Sequence, residues 1–180
     1  NPTSTNDKKR QAHTFYKGGI IVNKQGERFV NESISYKLLG DAALQQPDCQ
    51  TYQIWDQTVM EKGVADDALY DFDLLYREGL IESFETIEQL AKKAGLPADV
   101  LQQMISDYNT DVKQGQDTAF GRTSLTHKFG TPTAIETAPF YVMETATAML
   151  ATYAGVQVDE HTHVINPFGE PIRGLYAAGE

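Results

Sequence analysis

Gly18-Gly19-Ile20-Ile21-Val22-Asn23-Lys24-Gln25-Gly26-Glu27-Arg28-Phe29-Val30-Asn31-Glu32 is the stretch on which the reading of the fold turns. Three consecutive branched apolar residues, Ile20 to Val22, make Gly18 to Asn23 a buried strand. Asn23 to Gly26 has the chemistry of a tight turn, and Glu27 to Val30 is predicted to return as the second strand of a hairpin. Downstream, Tyr36 to Gln46 sets Leu38, Leu39, Ala42 and Ala43 at helical spacing until Pro47 ends the helix. Thr51 to Trp55 alternates like a strand, and the middle of the chain then turns helical. Thr86 with Gln89 has capping-box form, and Gly95 with Pro97 separates that helix from the next. From Pro97 to Gln114, the apolar set Val100, Leu101, Met104, Ile105, Tyr108 and Val112 recurs at three and four residues. Gln116 to Thr133 is loop-like, Phe140 to Leu150 and Ala154 to Val158 are rich in strand formers, and Asn166 to Gly169 is a second turn before a buried strand at Leu175 to Gly179. Hairpins and helices mix without a repeating βαβ unit, so the expected class is α+β.

The 180 residues hold 15 Lys plus Arg against 25 Asp plus Glu, a formal charge of −10, and 41% are hydrophobic. That length suits one domain, or one domain and a piece of another, with enough apolar residues for a core. The longest basic run is Lys8-Lys9-Arg10, too little clustered charge for a duplex-binding surface, so no nucleic acid is expected as a partner. No stretch approaches the roughly 20 apolar residues of a membrane span, and Asn1 to Arg10 lacks the apolar core of a signal peptide. Cys49 is alone, which excludes an internal disulfide and a thiolate metal cage and reads as a buried or idle thiol. It leaves the compartment open, with a cytoplasmic one favoured. The sequence stops at Gly179-Glu180, directly after the apolar run Leu175-Tyr176-Ala177-Ala178, which reads as a fragment of a longer protein.

Several side-chain groups invite a chemical reading. His161 and His163, beside Asp159 and Glu160, would share one side of an extended strand and could hold a divalent metal, although such pairs on surface hairpins are more often idle; no metal is expected. Asp66, Asp67, Asp71 and Asp73 lack the Gly and closing Glu of an EF-hand and read as a solvated face. Neither Ser33 nor Ser35 sits in a G-x-S-x-G elbow, and neither G-x-G-x-x-G nor a Walker sequence occurs, so the chain has no evident pyrophosphate cradle of its own. Asn31-Glu32-Ser33-Ile34-Ser35-Tyr36 opens a helix directly after the hairpin, where a scaffold can hold a side chain at a cleft edge. Tyr36 there is either a half-buried core aromatic or a catalytic phenol.

Two stretches carry a resemblance. Gly18 to Asn23 with Gly26 to Glu32 resembles the I-x-V-N-x-x-G-x-R-F-V-N-E signature of FAD-dependent enzymes of the fumarate reductase, succinate dehydrogenase and 3-ketosteroid dehydrogenase superfamily. Gly155 to Asp159 through Pro171 to Glu180 resembles that superfamily's return into its flavin domain, and Tyr108-Asn109, Gly115 with Asp117, and Pro139-Phe140-Tyr141 also fit. The resemblance implies a capping domain over residues 1–150, with residues 151–180 as the first strands re-entering an FAD-binding domain that carries the glycine fingerprint elsewhere in the same polypeptide. It implies FAD as cofactor, with Gly179 and Glu180 on its sugar or ribityl side, and a small-molecule substrate. Soluble fumarate reductases have an Arg where this chain has Tyr36, and a substrate-clamping His where it has Ala151 ahead of Thr152 and Tyr153. Asn31-Glu32-Ser33 with Tyr36 instead resembles the N-E-S-x-x-Y of 3-ketosteroid dehydrogenases, which implies Tyr36 in proton transfer, Asn31 and Glu32 fixing the turn behind it, and Thr152 or Tyr153 near the substrate. A phenol suits a proton path different from that of an Arg, and the loss of positive charge favours a neutral or enone-like substrate over a dianion. The expected activity is that of an oxidoreductase acting on a C–C or C=C bond beside an electron-withdrawing group, in which the chain forms the lid, is inactive alone and does not retain FAD. The rival expectation is a stand-alone binding or interaction domain that keeps the lid fold without the chemistry.

Overall fold

The computed structural model describes residues 10–148 and 155–179, together with the backbone of residues 2–4. It divides into two compact units, Asn1–Ala148 and Met149–Glu180. The larger is built on an antiparallel sheet of β1 (Pro2–Ser4), β5 (Phe140–Thr147), β3 (Gln50–Asp56) and β2 (Ile20–Val22), in that spatial order. A short β4 (Glu82–Phe84) pairs with the Phe140 end of β5, while β1 pairs with its Thr147 end. Helices α1 (Thr14–Lys17), α2 (Tyr36–Leu44), α3 (Gln57–Met60), α4 (Phe72–Arg77), α5 (Ile87–Ala94) and α6 (Ala98–Gln114) fill the connections, giving the mixed helix-and-sheet composition expected.

Alternation along the strands separates two cores. Tyr52 and Ile54 of β3, with Ile20, Val22 and Val142, pack against Leu90 and Ala91 of α5 and Leu101, Ile105 and Tyr108 of α6. Trp55, Tyr141 and Met143 go to the other face with Val59, Met60, Phe72 and Leu75. Leu101, Ile105 and Tyr108 are the inward stripe foreseen for α6, each contributing about 1.5–3 kcal/mol through burial. Thr86 caps α5 by accepting from the Gln89 amide at 3.2 Å, and Gly95 ends it in the left-handed region at φ 71°.

The central hairpin needs correction. The turn forms: the Asn23 side chain accepts from the Gln25 and Glu27 amides at 3.0 and 3.1 Å, and Gly26 turns at φ 78°. A Cβ on Gly26 would stand 3.4 Å from the Leu101 amide nitrogen, an ordinary contact, so it is the positive φ that calls for glycine here. The return stretch makes one isolated bridge, Val22 to Arg28, and no ladder. β2 takes its strand partner from β3 instead, because three consecutive buried residues match the longer apolar strand better than a segment whose Arg28 and Glu32 must reach charges. A third cluster, Phe15, Tyr16, Ile21, Val30 and Leu39, closes behind this turn.

The smaller unit is a ribbon of β6 (His163–Ile165) and β7 (Pro171–Tyr176). Its Asn166 turn repeats the chemistry of Asn23, with Asn166 Oδ1 accepting from Phe168 and Glu170 at 2.9 and 3.0 Å. The buried strand expected at Leu175 to Gly179 is instead the exposed β7 ending at Tyr176, since a two-stranded ribbon has no second layer of its own. Of the strand expected at Ala154 to Val158, the described part contributes one bridge, Val158 to Val164, and Leu150 and Ala154 lie outside the described residues. No helix among the described residues is long and apolar enough to cross a membrane.

Candidate active site

The turn before α2 is set residue by residue. Asn31 Oδ1 accepts from the Ser33 amide at 2.9 Å, its carbonyl accepts from Ile34 at 3.2 Å, and Ser35 caps α2 by accepting from Leu38 at 3.5 Å. Tyr36 is therefore the first residue of α2, and its side chain is 41% exposed.

Beneath that turn lies a buried lattice of two arginines and two carboxylates. Glu32, with no exposed surface, takes Arg28 Nε and Nη2 at 2.8 and 2.7 Å and the Ile21 amide at 3.3 Å. Arg28 also binds Asp117 through two bonds of 3.1 and 2.9 Å, and Arg122 Nη1 lies 3.4 Å from Glu32. Arg122, 2% exposed, further donates to Ser33 Oγ and the Gly19 carbonyl, each at 3.0 Å, and to the Phe15 carbonyl. Two positive and two negative groups balance, which is the condition for holding charge out of water. Burial opposes ionisation of Arg28 and Asp117, yet their mutual hydrogen bonds and charges, with Glu32 on Arg28, hold Arg28 above and Asp117 below their ordinary ranges. Burial drives the Tyr108 phenol, next to this lattice, up to about 12. The lattice ties α1, β2, the Asn31 turn and the Asp117 loop into one support under Tyr36.

A strap from Leu125 to Gly130 crosses the same turn, with Thr126 Oγ1 donating to the Ser33 carbonyl at 3.1 Å. His127 and Lys128 sit there at φ 57° and 62°. The strap sets His127 5.2 Å from the buried Tyr16 ring and 6.2 Å from Phe129, and Phe129 5.7 Å from Tyr70. Lys17 Nζ lies 3.7 Å over Phe129 and 4.6 Å over Tyr70. Burial first, then the Tyr70 and Tyr36 phenols, raises the Tyr16 phenol above its ordinary range.

Other expected sites resolve differently. Thr152, Tyr153 and Glu180 lie outside the described residues. Gly179 stands at φ 90° with nothing within 4 Å of where a Cβ would be. His161 and His163 do not share a strand face, because β6 begins at His163; their rings are 6.1 Å apart, and His163 Nδ1 binds Asp159 at 3.0 Å. Among the described residues, no three potential metal-binding side chains gather. The acidic stretch is not simply a solvated face. Asp71 is buried and binds the Asp66 and Leu74 amides, and Asp67 binds those of Leu69 and Tyr70. Cys49 is exposed, with Sγ 3.3 Å from the Leu44 carbonyl. Arg122, absent from the sequence reading, is a lone Arg in a polar loop and carries no local signal. Arg28 and Glu32 stand four apart in the motif, a spacing that could have paired them.

The family model described as FAD binding domain matches residues 2–180. The chain belongs to this FAD-binding family. Its cofactor is therefore FAD, as the resemblance implied. A probable fumarate reductase of Shewanella frigidimarina is 33% identical over 163 residues, covering 91% of this chain and 26% of that protein. An NADH:acrylate oxidoreductase of Vibrio harveyi is 35% identical over 161 residues, covering 89% of the chain and 15% of that protein. The chain thus spans about a quarter or less of these relatives' lengths. Among solved structures, the open conformation of a flavocytochrome c3 fumarate reductase superposes with a TM-score of 0.77 at 30% identity, covering 99% of this chain and 30% of that one.

Proposed function

We propose that residues 1–150 form the lid and residues 151–180 the first return strands of an FAD-dependent oxidoreductase acting on a C–C or C=C bond beside an electron-withdrawing group. The observation that carries the reading is Tyr36: an exposed phenol at the first turn of a helix whose entry is fixed by the buried Arg28–Glu32–Asp117–Arg122 lattice. Relatives named as a probable fumarate reductase, an NADH:acrylate oxidoreductase and a urocanate reductase support the bond type.

In this mechanism Tyr36 moves a proton at its phenol oxygen, to or from the substrate carbon. Asn31 shapes the turn, and Glu32, held by both arginines, keeps the helix start from shifting. Thr152 or Tyr153 contacts the substrate. Gly179 and Glu180 would hold the sugar side of FAD, which when bound supplies hydride transfer. The lid excludes water while the proton moves. With Tyr36 in place of an arginine, the site favours a neutral or enone-like substrate.

The test is Tyr36→Phe in the full-length enzyme. Flavin content is expected to stay intact while turnover falls about 100-fold or more. Unchanged turnover removes Tyr36 from the reaction. The chain alone is expected to be inactive and to lose FAD on gel filtration.

A further inference from the structure

Besides Tyr36, at 41% exposed, two aromatic rings on the strap meet solvent: Phe129 at 40% and the exposed His127. They are backed by the buried Tyr16, which touches His127 edge to face, and by Tyr70 against Phe129. The strap that presents His127 has left-handed backbone at both His127 and Lys128, neither of them glycine, and is fastened to the Asn31 turn through Thr126. Backbone held in that region by surrounding bonds concentrates where a side chain must be aimed. A proton donor works within hydrogen-bond reach of its substrate, and the Tyr36 phenol is near enough to Tyr16, whose ring touches His127, to act on it electrostatically.

From this geometry we infer that His127 and Phe129, with Tyr16 packed behind His127, form an aromatic wall that accepts a planar ring conjugated to the reacting double bond, making the substrate an aryl-substituted enone or a close equivalent. The inference rests on the reading of Tyr36 as proton donor. A flat ring packs on such a wall by offset or edge contacts, whereas a small aliphatic alkene leaves it wet. Lys17, lying on the ring of Phe129, makes that ring part of an ordered layer rather than a loose side chain.

The test compares two enones with the same reacting group in the full-length flavoenzyme: benzylideneacetone, which carries the ring, and ethylideneacetone, which carries a methyl in its place. The expected kcat/KM ratio favours the aryl compound by about tenfold or more. Phe129→Ala and His127→Asn, the latter keeping a residue that tolerates left-handed backbone, are each expected to shrink that ratio severalfold with flavin content retained. A ratio near one, or a ratio untouched by both variants, overturns the wall. Loss of flavin from the variants with the ratio intact also overturns it, by making the patch a contact with the FAD domain. Calorimetric binding of benzylacetone, the saturated compound, to the oxidised holoenzyme separates the two readings. Binding weakened about tenfold by Phe129→Ala supports the wall even if no alkene is turned over, in which case the proposed reaction fails alone. Binding that the variant leaves unchanged overturns the wall even if alkenes are reduced.

Discussion

At the scale of single residues, Arg122 and His13 show opposite ways of burying a titratable group. Arg122 meets Glu32, Ser33 and two carbonyls, so each of its faces has a partner. Arg122→Leu strips those partners at once and is expected to lower the free energy of unfolding by about 3–5 kcal/mol, read from urea denaturation. His13 is 4% exposed, and among the described residues neither ring nitrogen finds a partner; it packs against Phe15, Tyr16 and Tyr70. Burial lowers its pKa from 6.5 to about 4. Between those values the unfolded chain binds a proton that the folded chain refuses. Stability is therefore complete above the upper value and falls as pH drops through the window, by about 3 kcal/mol in all. His13→Phe keeps a ring in the cluster and removes the proton. Urea midpoints measured from neutral pH downward are expected to lose most of this slope, while a slope equal to that of the parent would assign it to other groups.

At the scale of elements, legibility followed local chemistry. The two Asn-x-x-Gly turns at Asn23 and Asn166, the Thr86 cap and the α6 stripe were readable because each is decided within a few residues of its own sequence. The pairing of β2 was not, since a strand's partner depends on which distant apolar strand competes for its edge. Short elements such as β4 and α1 were missed because three or four residues carry too little periodicity to register. Around Tyr36, the turn and the helix start were legible from the local sequence, whereas the contacts of Arg122 and His127 arise from long-range folding of the loop between Gln116 and Thr133. Asp56 is the same kind of omission. One carboxylate oxygen caps α3 through the Thr58 amide at 3.0 Å, and the other takes the Glu136 and Thr137 amides, each at 3.0 Å, from a segment eighty residues away. Asp56→Ala unmakes a cap and a tertiary clasp together, so a loss of about 2–4 kcal/mol is expected, against about 1 kcal/mol for the cap alone at Thr86→Ala. Equal losses for the two variants would mean that the clasp contributes nothing.

At the scale of the whole molecule, the two units differ in how they satisfy their apolar residues. Among the described residues, the buried members of the larger unit's three cores run from Ala12 to Met143. The ribbon leaves Phe168 88% exposed, with Val156, Leu175 and Tyr176 also open, a density of bare apolar surface that a finished domain seldom tolerates. If that surface is what the FAD domain covers, it should cost solubility but not stability in the isolated chain. Ending the chain at Ala148 is therefore expected to leave the thermal midpoint within a few degrees of the parent and to reduce binding of a hydrophobic dye such as ANS. In the full-length polypeptide, which keeps the ribbon, dye binding should be suppressed by covering rather than by removal. A truncated chain that melts much earlier would show that the ribbon completes the larger unit's core, and the division between lid and return strands would then have to be redrawn.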